Sequence, residues 1–314
     1  MELDPTEQAI VAACSELHLI PASTVFAQSH SNAEHLPPIL KISNRQCGAK
    51  FALQGAQVLG FKPTNHAELL WLSPNAVLQS NMPIRGGIPV CLPWFGVNQQ
   101  NPAKPKHGFA RTSRWQLERA STDDHGTTLV QLGLRPYATQ PHPLFNFAFS
   151  AELSVSFGRQ LEIVLRVRNC SAASMPLSWA LHSYHPVQDL EQLRILGLEN
   201  TEYLDNTRQL QRFTQQGELK LRGEFDRVYL DVGATQTIIG TPGIRVSGTN
   251  APSAIVWNPG AELAASMPDL GKNTHRQFVC LERGAVFDNA SSLAPQTTMQ
   301  ASITIEAQVA EREF

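Results

Sequence analysis

The sequence predicts an all-β fold, a large antiparallel sandwich or barrel preceded by a short N-terminal helix. Apolar and polar residues alternate with a period of two over much of the chain. The alternating runs are short and regularly spaced, with Gly, Pro and Asn between them. No βαβ alternation, heptad, internal repeat or low-complexity linker interrupts the pattern.

In chain order, Asp4-Pro5-Thr6-Glu7 reads as an N-cap, a proline at the first helical position and a reciprocal glutamate. Ile10, Ala13, Cys14 and Leu17 follow at helical spacing, so one helix opens the chain. Strand periodicity begins weakly over 50–61. It becomes clear over 113–120 and 127–134, which flank the turn-rich STDDHG. The cleanest hairpin sets Leu153, Val155 and Phe157 against Leu161, Ile163, Leu165 and Val167 across Gly158-Arg159-Gln160, with odd-numbered residues facing a core. Further short strands are expected over 176–184, 237–240, 244–248, 254–257, 277–282 and 299–309. Residues 1–39 thus read as a helical extension and 40–314 as one β domain.

A chain of 314 residues can bury a large core, and 42% hydrophobic with 17% charged residues describes a soluble globular protein. The net charge of -2 advertises neither nucleic acid nor an anionic membrane as partner, leaving a small molecule as the expected ligand. The first 21 residues lack the features of a secretory signal, and no apolar run reaches the roughly 18 residues of a membrane span. Five scattered cysteines, none in a CxxC, argue against a disulfide framework or zinc knuckle. The cytoplasm is the expected compartment.

LHSYHPV, residues 181–187, holds two of the ten histidines. The alternation of Met175, Leu177, Trp179 and Leu181 with smaller residues is strand-like and puts His182 and His185 on opposite faces. HxH and HxxxH spacings are both missing, so no metal is expected here. His182 shares its face with Ser178 and Ala180, which leave room for a ligand; a hydrogen-bonded structural histidine is the alternative.

RGGIPVCLPWFG, residues 85–96, combines glycines that permit close approach to a ligand with prolines that stiffen the loop; a tight structural turn is the alternative. HGFAR follows at 107–111, and Arg85, Lys106 and Arg111 are candidates to gather around an anion. Glu282 ends the apolar run of 277–284, where a carboxylate is costly unless used or paired, Arg283 being the adjacent partner. Asp226, in GEFDRVY, poses the same choice between a role and a loop ion pair.

RGGIPVCLPWFG, HGFAR, LHSYHPV, LGLENTEYLDN, EFDRVY, IVWNP and FVCLE, in this order, resemble the signatures of the hexose-6-phosphate mutarotase (glucose-6-phosphate 1-epimerase) branch of the aldose 1-epimerase, galactose mutarotase-like superfamily. The resemblance implies a large antiparallel β-sandwich (the supersandwich) with the ligand in a cleft on its concave sheet. It implies exchange of α and β anomers of a hexose 6-phosphate, with Glu282 as general base and His182 as general acid. At rest Glu282 is then ionised and His182 protonated or readily protonated. Arg85 and Arg111 match phosphate-binding positions, Lys106 and Asp226 match substrate contacts, and His107 matches a site histidine. No cofactor or metal is implied, the partner is a small sugar phosphate, and a monomer is favoured. An epimerase for unphosphorylated aldoses and a non-catalytic carbohydrate-binding sandwich are the alternatives. The chain departs from the pattern at His185, where an aromatic, usually Phe, is common, and at Lys106, Gly260 and Arg283.

Overall fold

The hairpin Phe149–Phe157 and Leu161–Asn169 sets the architecture. Its strands pair antiparallel, and Leu153, Val155 and Phe157 on one and Leu161, Ile163, Leu165 and Val167 on the other are buried as the alternation requires. In the computed structural model, which describes residues 2–26 and 36–308, this hairpin lies inside an eight-stranded sheet. The sheet runs from Arg194–Leu196 through Thr235–Ile239, Ile244–Thr249 and Thr298–Ala307 to the hairpin, then Thr128–Leu134 and Gln116–Thr122.

A second eight-stranded sheet runs Gln211–Thr214, Glu202–Asp205, Phe225–Tyr229, Ser253–Asn258, Phe278–Ala285, Trp179–Leu181, Val90–Cys91, with Tyr184–Pro186 also paired to Phe278–Ala285. Trp179, Leu181, Val279 and Leu281 from this sheet share one hydrophobic core with Leu153, Val155, Ile163 and Leu165 from the other, so the sheets stack face to face. Each such side chain contributes about 1.5–3 kcal/mol by leaving water. Residues of opposite parity, Ala180, Leu204, Val228 and Ile255, form a separate small cluster under Phe95, Leu210 and Phe287. Loops, not a sheet, cover this outer face, and the site lies there.

The helix Pro5–Ala13 has the expected capping box between Asp4 and Glu7. It stops at Ala13, so Leu17 belongs not to the helix but to a strand, Leu17–Ile20, that pairs with Ile39–Ser43 in a four-stranded sheet. Glu7 is fully buried and takes a bidentate pair from Arg114, 2.5 and 3.1 Å, plus the Leu117 amide at 3.0 Å. The helix is thereby clamped to the Gln116–Thr122 strand.

Elsewhere the expected runs are strands with shifted ends. The 50–61 stretch is two strands, Cys47–Ala52 and Gln57–Pro63, and 176–184 is broken into three, Met175–Leu177, Trp179–Leu181 and Tyr184–Pro186. The last strand ends at Ala307, and Val309 lies outside the described residues. Among the described residues no helix is long and apolar enough to cross a membrane.

Candidate active site

Strand register brings the two central residues together. Leu181 stands opposite Arg283, and Tyr184 opposite Cys280, in one unbroken antiparallel register. His182 therefore lies directly across from Glu282 on the outer face, and its Nε2 is 3.3 Å from Glu282 Oε1. The two residues between the short strands are stitched in place: the Leu281 amide donates to Ser183 O, the Ser183 hydroxyl donates to Leu281 O at 2.6 Å, and the His182 amide donates to Pro89 O at 3.0 Å. The His182 ring stacks on Tyr184 at 4.9 Å and meets His107 edge-on at 5.6 Å.

Both members of the pair are almost fully buried, His182 at 7% and Glu282 at 1% exposure. Burial pushes the Glu282 carboxyl well above its ordinary range; Asp226 adds to this and Arg111 opposes it. Burial, then Arg111 and Arg85, hold the His182 imidazole well below its ordinary range. Both directions favour a carboxylic acid beside a neutral imidazole at rest, over the ionised Glu282 and protonated or readily protonated His182 that the resemblance implies. Moving one proton across the 3.3 Å contact converts one form into the other without changing net charge.

His185 points the other way, as strand alternation requires. It is fully buried, and its Nδ1–H donates to Leu69 O at 3.0 Å. Arg283 also turns to the inner side, where it donates to Ala251 O, Ala234 O and Gln236 Oε1, so it does not pair with Glu282. Asp226 sits not in a loop but on the Phe225–Tyr229 strand, opposite Trp257. It accepts from Asn206 Nδ2 at 2.6 Å, and burial pushes its carboxyl up to about 6.

The cations are held from several sides. Arg85 donates to Asp269 at 2.9 Å and to the Tyr184 hydroxyl at 3.0 Å, and lies 5.9 Å from the centre of the Trp257 ring. Arg111 donates to Lys106 O at 2.9 Å. The glycines beside Arg85 serve backbone packing, not ligand approach: a Cβ on Gly86 would lie 2.6 Å from Trp71 O, and one on Gly87 2.1 Å from Val58 O. His107 adopts a left-handed φ of 65°, and its Nδ1 accepts from the Gly96 amide, which puts the proton of the neutral ring on Nε2. Burial and the neighbouring cations keep this ring neutral.

Arg85, Lys106, His107, Arg111, His182, Asp226 and Glu282 all line one cleft of about 600 Å³. Trp257, Tyr184, Asn206 and Asp269 join these residues at the site and are not among the candidates expected from the sequence. Trp257 and Tyr184 were reachable, because alternation places them on the face of Glu282 and His182. Asp269, in a loop without periodic signal, was not.

Residues 38–306 match the family model for aldose 1-epimerase. The chain belongs to the aldose 1-epimerase family. A protein of Cenchrus ciliaris, provisionally named glucose-6-phosphate 1-epimerase, is 32% identical over 294 residues, covering 90% of this chain and 88% of the relative. A protein of the same provisional name from Salmonella typhimurium is 33% identical over 248 residues, 78% of this chain and 82% of the relative. The crystal structure of YeaD, provisionally a mutarotase, from Salmonella typhimurium superposes with a TM-score of 0.78 at 28% identity, over 87% of this chain and 91% of that one. The all-β, galactose mutarotase-like sandwich is thereby established, and the chain is an isomerase of the epimerase type.

Proposed function

We propose that this enzyme interconverts the α and β anomers of a hexose 6-phosphate, glucose 6-phosphate foremost. The observation that carries this reading is the placement of the opposed His182–Glu282 pair on a buried floor whose cleft is also lined by Arg85, Lys106 and Arg111. O1 and O5 of a pyranose are bonded to the same carbon, so groups that serve both must themselves be neighbours.

Glu282, as carboxylate, takes the proton of the C1 hydroxyl while His182, as imidazolium, gives one to O5. The C1–O5 bond breaks and the aldehyde forms. Rotation about C1–C2 and reclosure on the other carbonyl face return both protons, each transfer contributing roughly 10²- to 10⁴-fold in rate. The reactive charges arise from the neutral pair by the internal proton shift. Arg111 and Arg85 oppose the imidazolium, so a phosphate dianion beside them eases that shift. Asp226, His107 and Lys106 contact sugar hydroxyls.

All seven residues come from one chain, which supports a working monomer, and five free cysteines support a cytoplasmic setting. Magnetisation-transfer NMR of anomer exchange tests the reading with glucose 6-phosphate and glucose side by side. Faster exchange confined to the phosphorylated sugar is expected. Equal acceleration of glucose points to an aldose epimerase, and binding without acceleration to a carbohydrate-binding sandwich.

A further inference from the structure

Cys280 is a fully buried thiol behind the floor of the cleft that this mechanism does not use. It lies two residues before Glu282 on the same strand, on the same face, and opposite Tyr184. One donor atom each from His182, Cys280 and Glu282 lie within 4.8 Å of one another. We propose that these three side chains form a binding site for a thiophilic divalent cation, Zn²⁺ or Cd²⁺, and that filling it stops anomer exchange by occupying the acid–base pair.

The donor set is a thiolate, an imidazole and a carboxylate, which suits a borderline-soft cation and leaves a fourth position for water. Bonds of about 2.0–2.3 Å place the donors of a tetrahedral shell roughly 3.3–3.8 Å apart, so side-chain rotations of about an ångström close the site. A second observation points to the same place. Glu282 Oε2 and His182 Nδ1 are buried without a hydrogen-bond partner among the described residues, and a buried polar atom without a partner is costly. A cation on the carboxylate supplies one of them directly.

Charge does not forbid the exchange. Zn²⁺ replaces the carboxyl proton of Glu282 and the thiol proton of Cys280, while His182 binds as the neutral ring it already is. Two protons leave and two positive charges arrive, so the net charge facing Arg85, Arg111, His107, Tyr184, Cys91 and Asp226 is unchanged. Binding should release two protons per metal.

The inhibitory half of the proposal rests on the mutarotase reading; the binding half does not. With thiols kept reduced by a phosphine, Cd²⁺ is titrated into the full chain and the thiolate-to-metal absorption in the near ultraviolet is followed, with proton release recorded in weakly buffered solution. A 1:1 component that disappears in Cys280→Ala and weakens by at least about tenfold in Glu282→Gln is expected. Glu282→Gln alone decides the matter should Cys280→Ala not fold. In the exchange assay, Zn²⁺ should inhibit competitively with sugar phosphate, and Cys280→Ala should keep its basal rate while losing that sensitivity. Identical Cd²⁺ spectra in wild type and both variants overturn the site. A Cys280-dependent band in a protein that exchanges no anomers overturns the mutarotase reading and leaves the site standing.

Discussion

His182 and Glu282 occupy opposed positions on antiparallel strands, with Nε2 and Oε1 3.3 Å apart on a floor nearly closed to water. Glu282→Gln keeps the shape of that floor and removes the base. Anomer exchange should fall by roughly 10²- to 10⁴-fold. The folded carboxyl holds its proton more tightly than the unfolded one, so Glu282 lowers stability increasingly as pH rises above the ordinary carboxylate range. Glu282→Gln should therefore melt at or above the wild-type temperature at pH 7. Thermal denaturation checks this, and a large drop in melting temperature would remove the residue from the catalytic role.

Arg111 faces both members of the pair from the rim of the cleft. Arg111→Ala should raise KM for glucose 6-phosphate by about 10- to 100-fold, the loss of a charge-assisted contact, and leave free glucose within about twofold. Added phosphite should accelerate glucose exchange in the wild type, because the dianion offsets the cations that oppose imidazolium, and should do so less in the variant. Equal losses on both sugars would remove Arg111 from the phosphate site.

Asp226 titrates at about 6 in spite of the Asn206 hydrogen bond, which favours its ionised form. Asn206→Ala removes that bond, and the Asp226 carboxyl should then titrate above 6. Side-chain carbon NMR across pH 4–8 reads it directly. An unchanged or lower midpoint would mean that the bond does not stabilise the carboxylate.

The ion pair of buried Glu7 with half-buried Arg114 ties the N-terminal helix to the sandwich away from the cleft. Glu7→Ala removes the carboxylate from a half-buried guanidinium and leaves the Leu117 amide without its acceptor, and should cost about 1–3 kcal/mol in urea unfolding. Exchange rates of the folded variant should match wild type. A change in catalysis would indicate coupling between helix and cleft that the fold does not suggest.

The hairpin around Gly158 and the outward face of His182 were legible because long strands between two sheets must alternate. The pairing of His182 with Glu282 was not, because register between strands a hundred residues apart leaves no local signal. For the same reason Arg283 looked like the partner of Glu282, although neighbours on a strand point to opposite faces. The strands Arg194–Leu196, Glu202–Asp205 and Gln211–Thr214 and the helix Gly260–Ser266 are too short to show a period, and Pro259-Gly260 reads as a turn. Burial was equally invisible: Glu282 and His182 are ordinary titratable residues in the sequence, and only the stacked sheet and covering loops reverse their charge preference.

His185 is explained by the inner side of the sheet. Fully buried with its Nδ1–H on Leu69 O, it is held neutral and its titration is lowered to about 4. Between the ordinary histidine range and about 4, the unfolded chain takes a proton that the folded one refuses. Stability is thus full at neutral pH and falls as the solution is acidified through that window, by up to about 3 kcal/mol from this residue. His185→Phe, which restores the aromatic common at this position, removes the proton acceptor and should flatten that part of the pH profile. It also leaves the Leu69 carbonyl without its donor, costing about 1–3 kcal/mol at pH 7 against the gain from burying a larger apolar ring. Urea unfolding at pH 7 and pH 5 for wild type and variant separates the two effects. An equal acid-induced loss in both proteins would show that His185 does not carry the acid sensitivity.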